Sequence, residues 1–227
     1  MTNYLQVLKA IKRRDLQDSV LEKTNRQNLI RSGLSLYQSK RIITIDTGKI
    51  EGVEMVAQMI CDQLTKNDHI IALEGISGSG KSATADRLAK KISAIKFSFG
   101  ELFRYLAYLQ VIKKQNDWQK IFQKLHYSLV GNKIFLFDQK QNITKKLAFE
   151  LRSAKIEKVV PEVASKTQQP ALELLAQEIS QLGNFKKKII LEGRAFTLDF
   201  LPSDVRIKLR CDARIRAKRR LKQIVSQ

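Results

Sequence analysis

The chain has 227 residues, 43% of them hydrophobic, which suits one domain, or one domain with an insert, around a sizeable core. Its 42 Lys and Arg against 22 Asp and Glu leave a formal net charge of +20. No apolar run approaches the roughly 20 residues that span a bilayer, and the pairs Cys61/Cys211 and His69/His126 lack the spacing of a disulfide framework or a metal site.

We therefore expect a soluble protein of a reducing, cytoplasmic compartment, without a membrane partner. Residues 1–14 are basic and acid-free and lack the apolar stretch of a signal peptide, which leaves an organellar transit peptide as the alternative. Next comes a short apolar run, Ile42 to Ile45, that reads as a buried strand. Val53, Val56, Met59, Ile60 and Leu64 then recur at helical spacing. A second apolar run, Ile70 to Leu73, leads directly into the most specific motif of the chain.

That motif is Gly75-Ile76-Ser77-Gly78-Ser79-Gly80-Lys81-Ser82, a complete G-x-x-x-x-G-K-[ST] phosphate loop between a strand and a helix. Glycines let backbone N–H groups converge on phosphate oxygens, Lys81 supplies a point charge for the terminal phosphates, and the Ser82 hydroxyl can ligate Mg²⁺. The following helix aims its positive end at the same anion. Its residues Ala85, Leu88, Ala89 and Ile92 form the face expected to pack on the sheet. ATP and Mg²⁺ are the implied ligands.

Further strands are expected at Ala94 to Phe99, Ile189 to Leu191 and Val205 to Leu209, with a helix marked by Leu172, Leu175, Ala176, Ile179 and Leu182. The class is α/β: a five-stranded parallel sheet with helices on both faces. The stretch between residues 99 and 189 is too long for a plain crossover and must hold an inserted subdomain. Within it His126 to Val130 and Lys133 to Phe137 flank Gly131-Asn132, the signature of a hairpin. Basic residues cluster from Arg206 to Lys222, in Lys12-Arg13-Arg14 and in Lys186-Lys187-Lys188. They read as solvated faces or as a surface for RNA or another acidic partner.

From the phosphate loop onward the chain resembles bacterial cytidylate kinase, of the nucleoside monophosphate kinase family. The residues that carry the resemblance are Phe97 to Arg104, Glu150-Leu-Arg152-Ser153 with Val163-Ala-Ser and Pro170, Ile190-Leu-Glu-Gly-Arg194, and Arg216-Ala-Lys-Arg-Arg220, which resembles the run entering the family's lid. The lid-return segment of the family resembles residues preceding the phosphate loop here, Tyr4 to Ser19 with Arg14, Asp15 and Asp18. Its last strand and helix resemble Arg41 to Thr47 and Val53 to Leu64. The resemblance thus implies a circular permutation opened at the lid, with Thr65 to Asp68 joining the former ends.

Four parts follow from it: 1–68 as lid-return helix, edge strand and closing helix; 69–104 as the phosphate-loop core; 105–170 as the monophosphate-binding insert; and 171–227 as core strands and lid entry. The resemblance implies an ATP-dependent phosphoryl transfer to a nucleoside monophosphate, CMP or dCMP. Gly75, Ser77, Gly78, Ser79, Gly80, Lys81 and Ser82 would hold ATP phosphates. Arg104, Arg152, Arg194 and Asp18 would bind the acceptor, Arg14 would reach the transferring group, and Arg216 and Arg219 would belong to the lid. Glu192 would hold Mg²⁺ through water beside Ser82, with Lys81, Arg14 and Arg194 the catalytic set.

Three departures bear on the substrate: Ala195 stands where the family has a base-reading Asp, Ser98-Phe99 where it has Asp-Thr, and Leu21 where it has an arginine. These departures and the charge support a second expectation, a non-catalytic basic subunit of a large assembly.

Overall fold

A computed structural model describes residues 3–130, 133–147, 149–183 and 187–225. Asn3 opens α1 (Tyr4–Arg31) with a capping box: its side chain accepts from the Gln6 amide while the Gln6 side chain accepts from the Asn3 amide. Then come β1 (Arg41–Asp46), α2 (Val53–Cys61), β2 (Ile70–Gly75), α3 (Lys81–Lys91), β3 (Ile95–Ser98) and α4 (Phe99–Val111). The middle of the chain forms α5 (Trp118–Phe122), β4 (Leu125–Val130), β5 (Lys133–Asp138), the two-residue β6 (Gln141–Asn142) and α6 (Ile143–Lys146). A 3₁₀ turn (Glu150–Arg152) precedes α7 (Ala154–Gly183), β7 (Ile189–Gly193), α8 (Ala195–Leu198), β8 (Val205–Arg210) and α9 (Ala213–Val225).

The strands lie in the order β1-β8-β2-β7-β3-β5-β4, with β6 beside β5. The five expected strands form the parallel part, β1-β8-β2-β7-β3. Strand β1 closes this sheet beside β8, with Ile43 opposite Ile207 and Ile45 opposite Leu209.

The sheet does not stop at five strands. Strand β5 joins β3 in parallel at Lys96 and Lys133, and β4 runs antiparallel to β5. The physical reason is apolar burial: the Phe97 and Tyr127 rings lie 4.4 Å apart and Leu136 is fully buried, so the hairpin continues the core of β3. Its turn, Gly131-Asn132, lies outside the described residues, as does Lys186 of the lysine cluster.

Alternation along the central strands divides the core into two layers. Ile71 and Leu73 of β2 and Ile190 of β7 pack with Val56, Ala57 and Ile60 of α2 and Ala85 and Leu88 of α3. Ala72, Ile189 and Leu191 point the other way, toward α4, α7 and the hairpin, in a cluster that includes Leu29 of α1. Met59 and Ala176, expected on inward faces, are exposed instead; each lies at the margin of its apolar stripe, and Ala57 and Ala171 are buried. Strand β3 ends at Ser98, because Phe99 begins α4. The turn Thr65–Asp68 before β2 is held by Asp68, whose carboxylate accepts from the Thr65 amide (2.6 Å) and hydroxyl (2.9 Å) and from Arg41 (2.7 Å).

Candidate active site

The phosphate loop joins the C-terminal end of β2 to the start of α3. A Cβ on Gly75 would stand 2.5 Å from Ser79 Oγ and 3.1 Å from the Leu209 carbonyl oxygen, so only glycine fits beside β8. Gly78 and Gly80 take φ of 79° and 87°, the left-handed region that curls the loop. Gly80 caps α3 without a side-chain hydrogen bond, so the first amides of the helix have no intrahelical or side-chain acceptor, the arrangement that receives an anion.

Neighbouring elements brace the loop from behind. The Thr47 hydroxyl, just past β1, donates to the Ser79 carbonyl at 2.9 Å. The Arg216 side chain packs against Gly78 and donates to the Ser77 carbonyl at 3.1 Å.

At the mouth of the loop, Ser82 Oγ donates to Glu192 Oε1 at 2.5 Å, and Lys81 Nζ lies 3.4 Å from the same oxygen. Glu192 sits on β7, next to β2, and is 5% exposed. Burial acts to raise its carboxyl, but Lys81, the Ser82 hydroxyl and Lys96 outweigh burial and hold it below the usual carboxylate range. Lys81 is pushed below its ordinary value by burial, against the pull of Glu192. Glu192 Oε2 is buried, makes no hydrogen bond and has Lys96 Nζ at 3.9 Å. A buried carboxylate beside a hydroxyl, with one oxygen lacking a close hydrogen bond, is a hard-oxygen donor set, and it fits Mg²⁺.

Arginines surround this centre. Arg194, two residues after Glu192, pairs through NH1 with Asp18 Oδ2 (2.8 Å) and Glu22 Oε1 (3.0 Å), both on α1. Arg104 on α4 donates through Nε to Glu157 of α7 at 2.6 Å. Both guanidinium charges reach Lys81 and help lower it. Arg152 is exposed at the 3₁₀ turn, and its charge acts on Glu101 of α4. Arg14 is half exposed, 3.8 Å from Asp18.

The two arginines expected in a lid take different positions. Arg216 is 3% exposed and forms a double hydrogen bond with Asp15 of α1, at 3.0 and 2.5 Å. Arg219 donates to the Thr47 carbonyl at 2.6 Å and comes within 4.0 Å of where a Cβ on Gly80 would stand. It also lines a depression with residues Gly48 to Gly52. Positive charge between α1 and α9 is thus offset within the protein: at Arg216 it is Asp15 that provides the counter-charge.

Sequence reasoning gave no role to Thr47, Asp15, Glu22 or Glu157. One signal was available: Asp15, Asp18 and Glu22 are the only acids of α1 and recur at i, i+3 and i+7, along one face. Of the three departures, Phe99 is buried in the core against Gly193, whereas Ala195 lines a cavity of about 490 Å³ together with Glu22, Glu74, Arg194 and Lys208. Leu21 is partly exposed. Among the described residues no helix is long and apolar enough to cross a membrane, and no group of three or more His, Cys, Asp or Glu is placed to hold a metal.

The chain is similar to known proteins along most of its length. The family model described as cytidylate kinase matches residues 71–227. Cytidylate kinase of Mycoplasmoides gallisepticum is 30% identical over 164 residues, 70% of this chain and 68% of that protein. Its counterpart in Mycoplasmopsis synoviae is 33% identical over 159 residues (67% and 70%), and that of Chlamydia caviae 32% over 164 residues (68% and 71%). A phosphate loop with its Lys-Ser pair on a buried glutamate, ringed by arginines, and a family match over most of the chain have one meaning: the chain belongs to the cytidylate kinase family, and is a nucleoside monophosphate kinase.

Proposed function

We propose that the protein transfers the γ-phosphoryl group of ATP to CMP or dCMP. The observation that carries this reading is the contact of Lys81 and Ser82 with Glu192, on the strand adjacent to the phosphate loop, with Arg194 two residues further on and paired to Asp18 of α1. A monophosphate oxygen is already anionic, so the reaction needs charge neutralisation and alignment rather than a general base. The loop amides and Lys81 hold the donor phosphates, while Arg194, Arg104 and Arg152 grip the acceptor phosphate. Arg14 reaches the transferring group from α1, and Arg219 borders the donor beside Gly80. Ser82 and Glu192 would hold Mg²⁺, which when bound neutralises charge developing on the phosphates.

Residues 1–68 complete this site. Their strand β1 closes the sheet beside β8, Thr47 braces the loop, and Asp15 and Asp18 reach Arg216 and Arg194. These contacts support a permuted order, in which the segment following the lid in the family precedes the phosphate loop here. The outward face of α1, exposed at Lys9, Lys12 and Arg13, supports an additional acidic partner such as RNA, whose binding would fall steeply with salt.

The test is ADP formation from ATP and Mg²⁺ with CMP, dCMP, UMP, AMP and GMP in turn. Turnover with CMP or dCMP above the others is the expected result. No turnover with any monophosphate would reject the reading.

A further inference from the structure

Arg194 is contacted by two carboxylates on a single nitrogen. Asp18 Oδ2 lies 2.8 Å and Glu22 Oε1 3.0 Å from NH1, whereas Nε and NH2 donate no hydrogen bond to a described residue. A guanidinium has five N–H groups in a rigid fork, and its Nε–NH2 edge alone can hold two oxygens of a phosphate. Occupying NH1 from one side therefore leaves the bidentate edge free. We propose that Glu22 is a positioning residue for the acceptor phosphate: together with Asp18 it clamps Arg194 by NH1 and presents the Nε–NH2 edge to the phosphate.

The fold supports the clamp. Asp18 and Glu22 lie one helical turn apart on α1, so one rigid face carries both carboxylates. Farther along that face Asn25 and Leu29 are buried, Asn25 accepting from Ser165 of α7 and Leu29 in the cluster beneath α4 and α7, which fixes how α1 lies against α7. Position 195 is alanine, so the residue after Arg194 offers no carboxylate of its own, and the side chain of Glu22 reaches into the same cavity. The groups facing Glu22 are Asp18 on its own helix, Arg194 after β7, and Glu74 and Lys208 on β2 and β8; Asp46, Arg210 and Asp212 line the same cavity. Burial raises the Glu22 carboxyl above its ordinary value, and Arg194 offsets only part of this.

The inference rests on the reading that Arg194 holds the acceptor phosphate, and the experiment separates the two. Steady-state kinetics with CMP would be measured for wild type, Glu22→Ala, Glu22→Gln, Arg194→Ala and the Glu22→Ala/Arg194→Ala double variant, with the folded state followed by thermal unfolding. Glu22→Ala should raise the KM for CMP about tenfold with the KM for ATP unchanged, the loss of one hydrogen bond to a charged group. Glu22→Gln, which keeps the acceptor oxygen, should recover most of it. The double variant should be no worse than Arg194→Ala alone, because the two residues act through one contact. A KM for CMP that falls or stays constant in Glu22→Ala, or effects that simply add in the double variant, overturns the inference. If Arg194→Ala itself leaves the KM for CMP unchanged, the underlying reading fails instead.

Discussion

Ser82 Oγ and Glu192 Oε1 lie 2.5 Å apart, joining the last residue of the phosphate-loop motif to the adjacent strand β7 across 110 residues of sequence. With Lys81 3.4 Å from the same oxygen, the contact sets the loop lysine, the hydroxyl and the carboxylate at one point. Chemistry at this point is tested by Lys81→Ala. Turnover should fall about 100-fold or more, as when one preorganised charge donor is removed. The chain should still fold, at a somewhat lower unfolding temperature, since Lys81 also neutralises the buried Glu192. Undiminished turnover and ATP affinity would remove the phosphate-loop assignment.

The pH dependence of Glu192 has a definite sign. Its folded value lies below that of an ordinary carboxylate, so its contribution to stability is full above the ordinary value and is lost as pH falls through the folded one. Thermal unfolding of wild type and Glu192→Gln should therefore differ most near neutrality and converge below about pH 4. A constant difference across that range would show that the ionised carboxylate is not what stabilises the site.

Arg216 and Asp15 should behave as a buried pair. Arg216 is 3% exposed, and Asp15→Ala leaves its guanidinium with only carbonyl acceptors. Breaking a buried pair costs about 3–5 kcal/mol; Asp15 is 31% exposed, so about 2 kcal/mol is expected here, a fall of several degrees in unfolding temperature. No change in the unfolding temperature would mean that α1 and α9 are held by other contacts.

Gly193 lies between the carboxylate and the arginine of the site, and Phe99 presses on it. A Cβ there would stand 2.7 Å from Phe99 Cδ2, and Phe99 is 2% exposed and cannot easily yield. Gly193→Ala should cost about 1–3 kcal/mol by overpacking, and Phe99→Leu should restore part of it. Equal stability of Gly193→Ala and wild type would place the ring elsewhere.

These residues also show where sequence reading succeeds. The phosphate loop was legible because its function depends on local spacing, and the five parallel strands because each is a short apolar run, although β1, expected as a buried strand, lies at the sheet edge with Ile42 exposed. Glu22, Asp15 and Thr47 were not, because their partners Arg194, Arg216 and Ser79 are distant in sequence and are chosen by how α1 and β1 dock. The hairpin was visible from its two β-rich runs, but its attachment to β3 depends on Tyr127 meeting Phe97, which no local pattern encodes. Arg216 matched a lid motif by sequence and is buried against the loop through its bond to Asp15.

The permuted order can be tested by rearranging the chain. A protein with residues 69–225 first, then a short Gly/Ser linker and residues 3–68, should fold with the same strand order. Joining α9 to α1 removes loop-closure entropy from their docking, so ATP should bind at least as tightly as before. A rearranged chain that fails to fold, or that folds without binding ATP, would contradict the permuted reading.

The central claim is a phosphoryl transfer to a cytidine monophosphate. Incubating the protein with ATP, Mg²⁺ and CMP and separating the nucleotides by chromatography measures it directly. The account predicts CDP and ADP in equal amounts, with both formed more slowly at low CMP in Arg194→Ala. ADP formed without CDP, or neither product with CMP or dCMP, would contradict it.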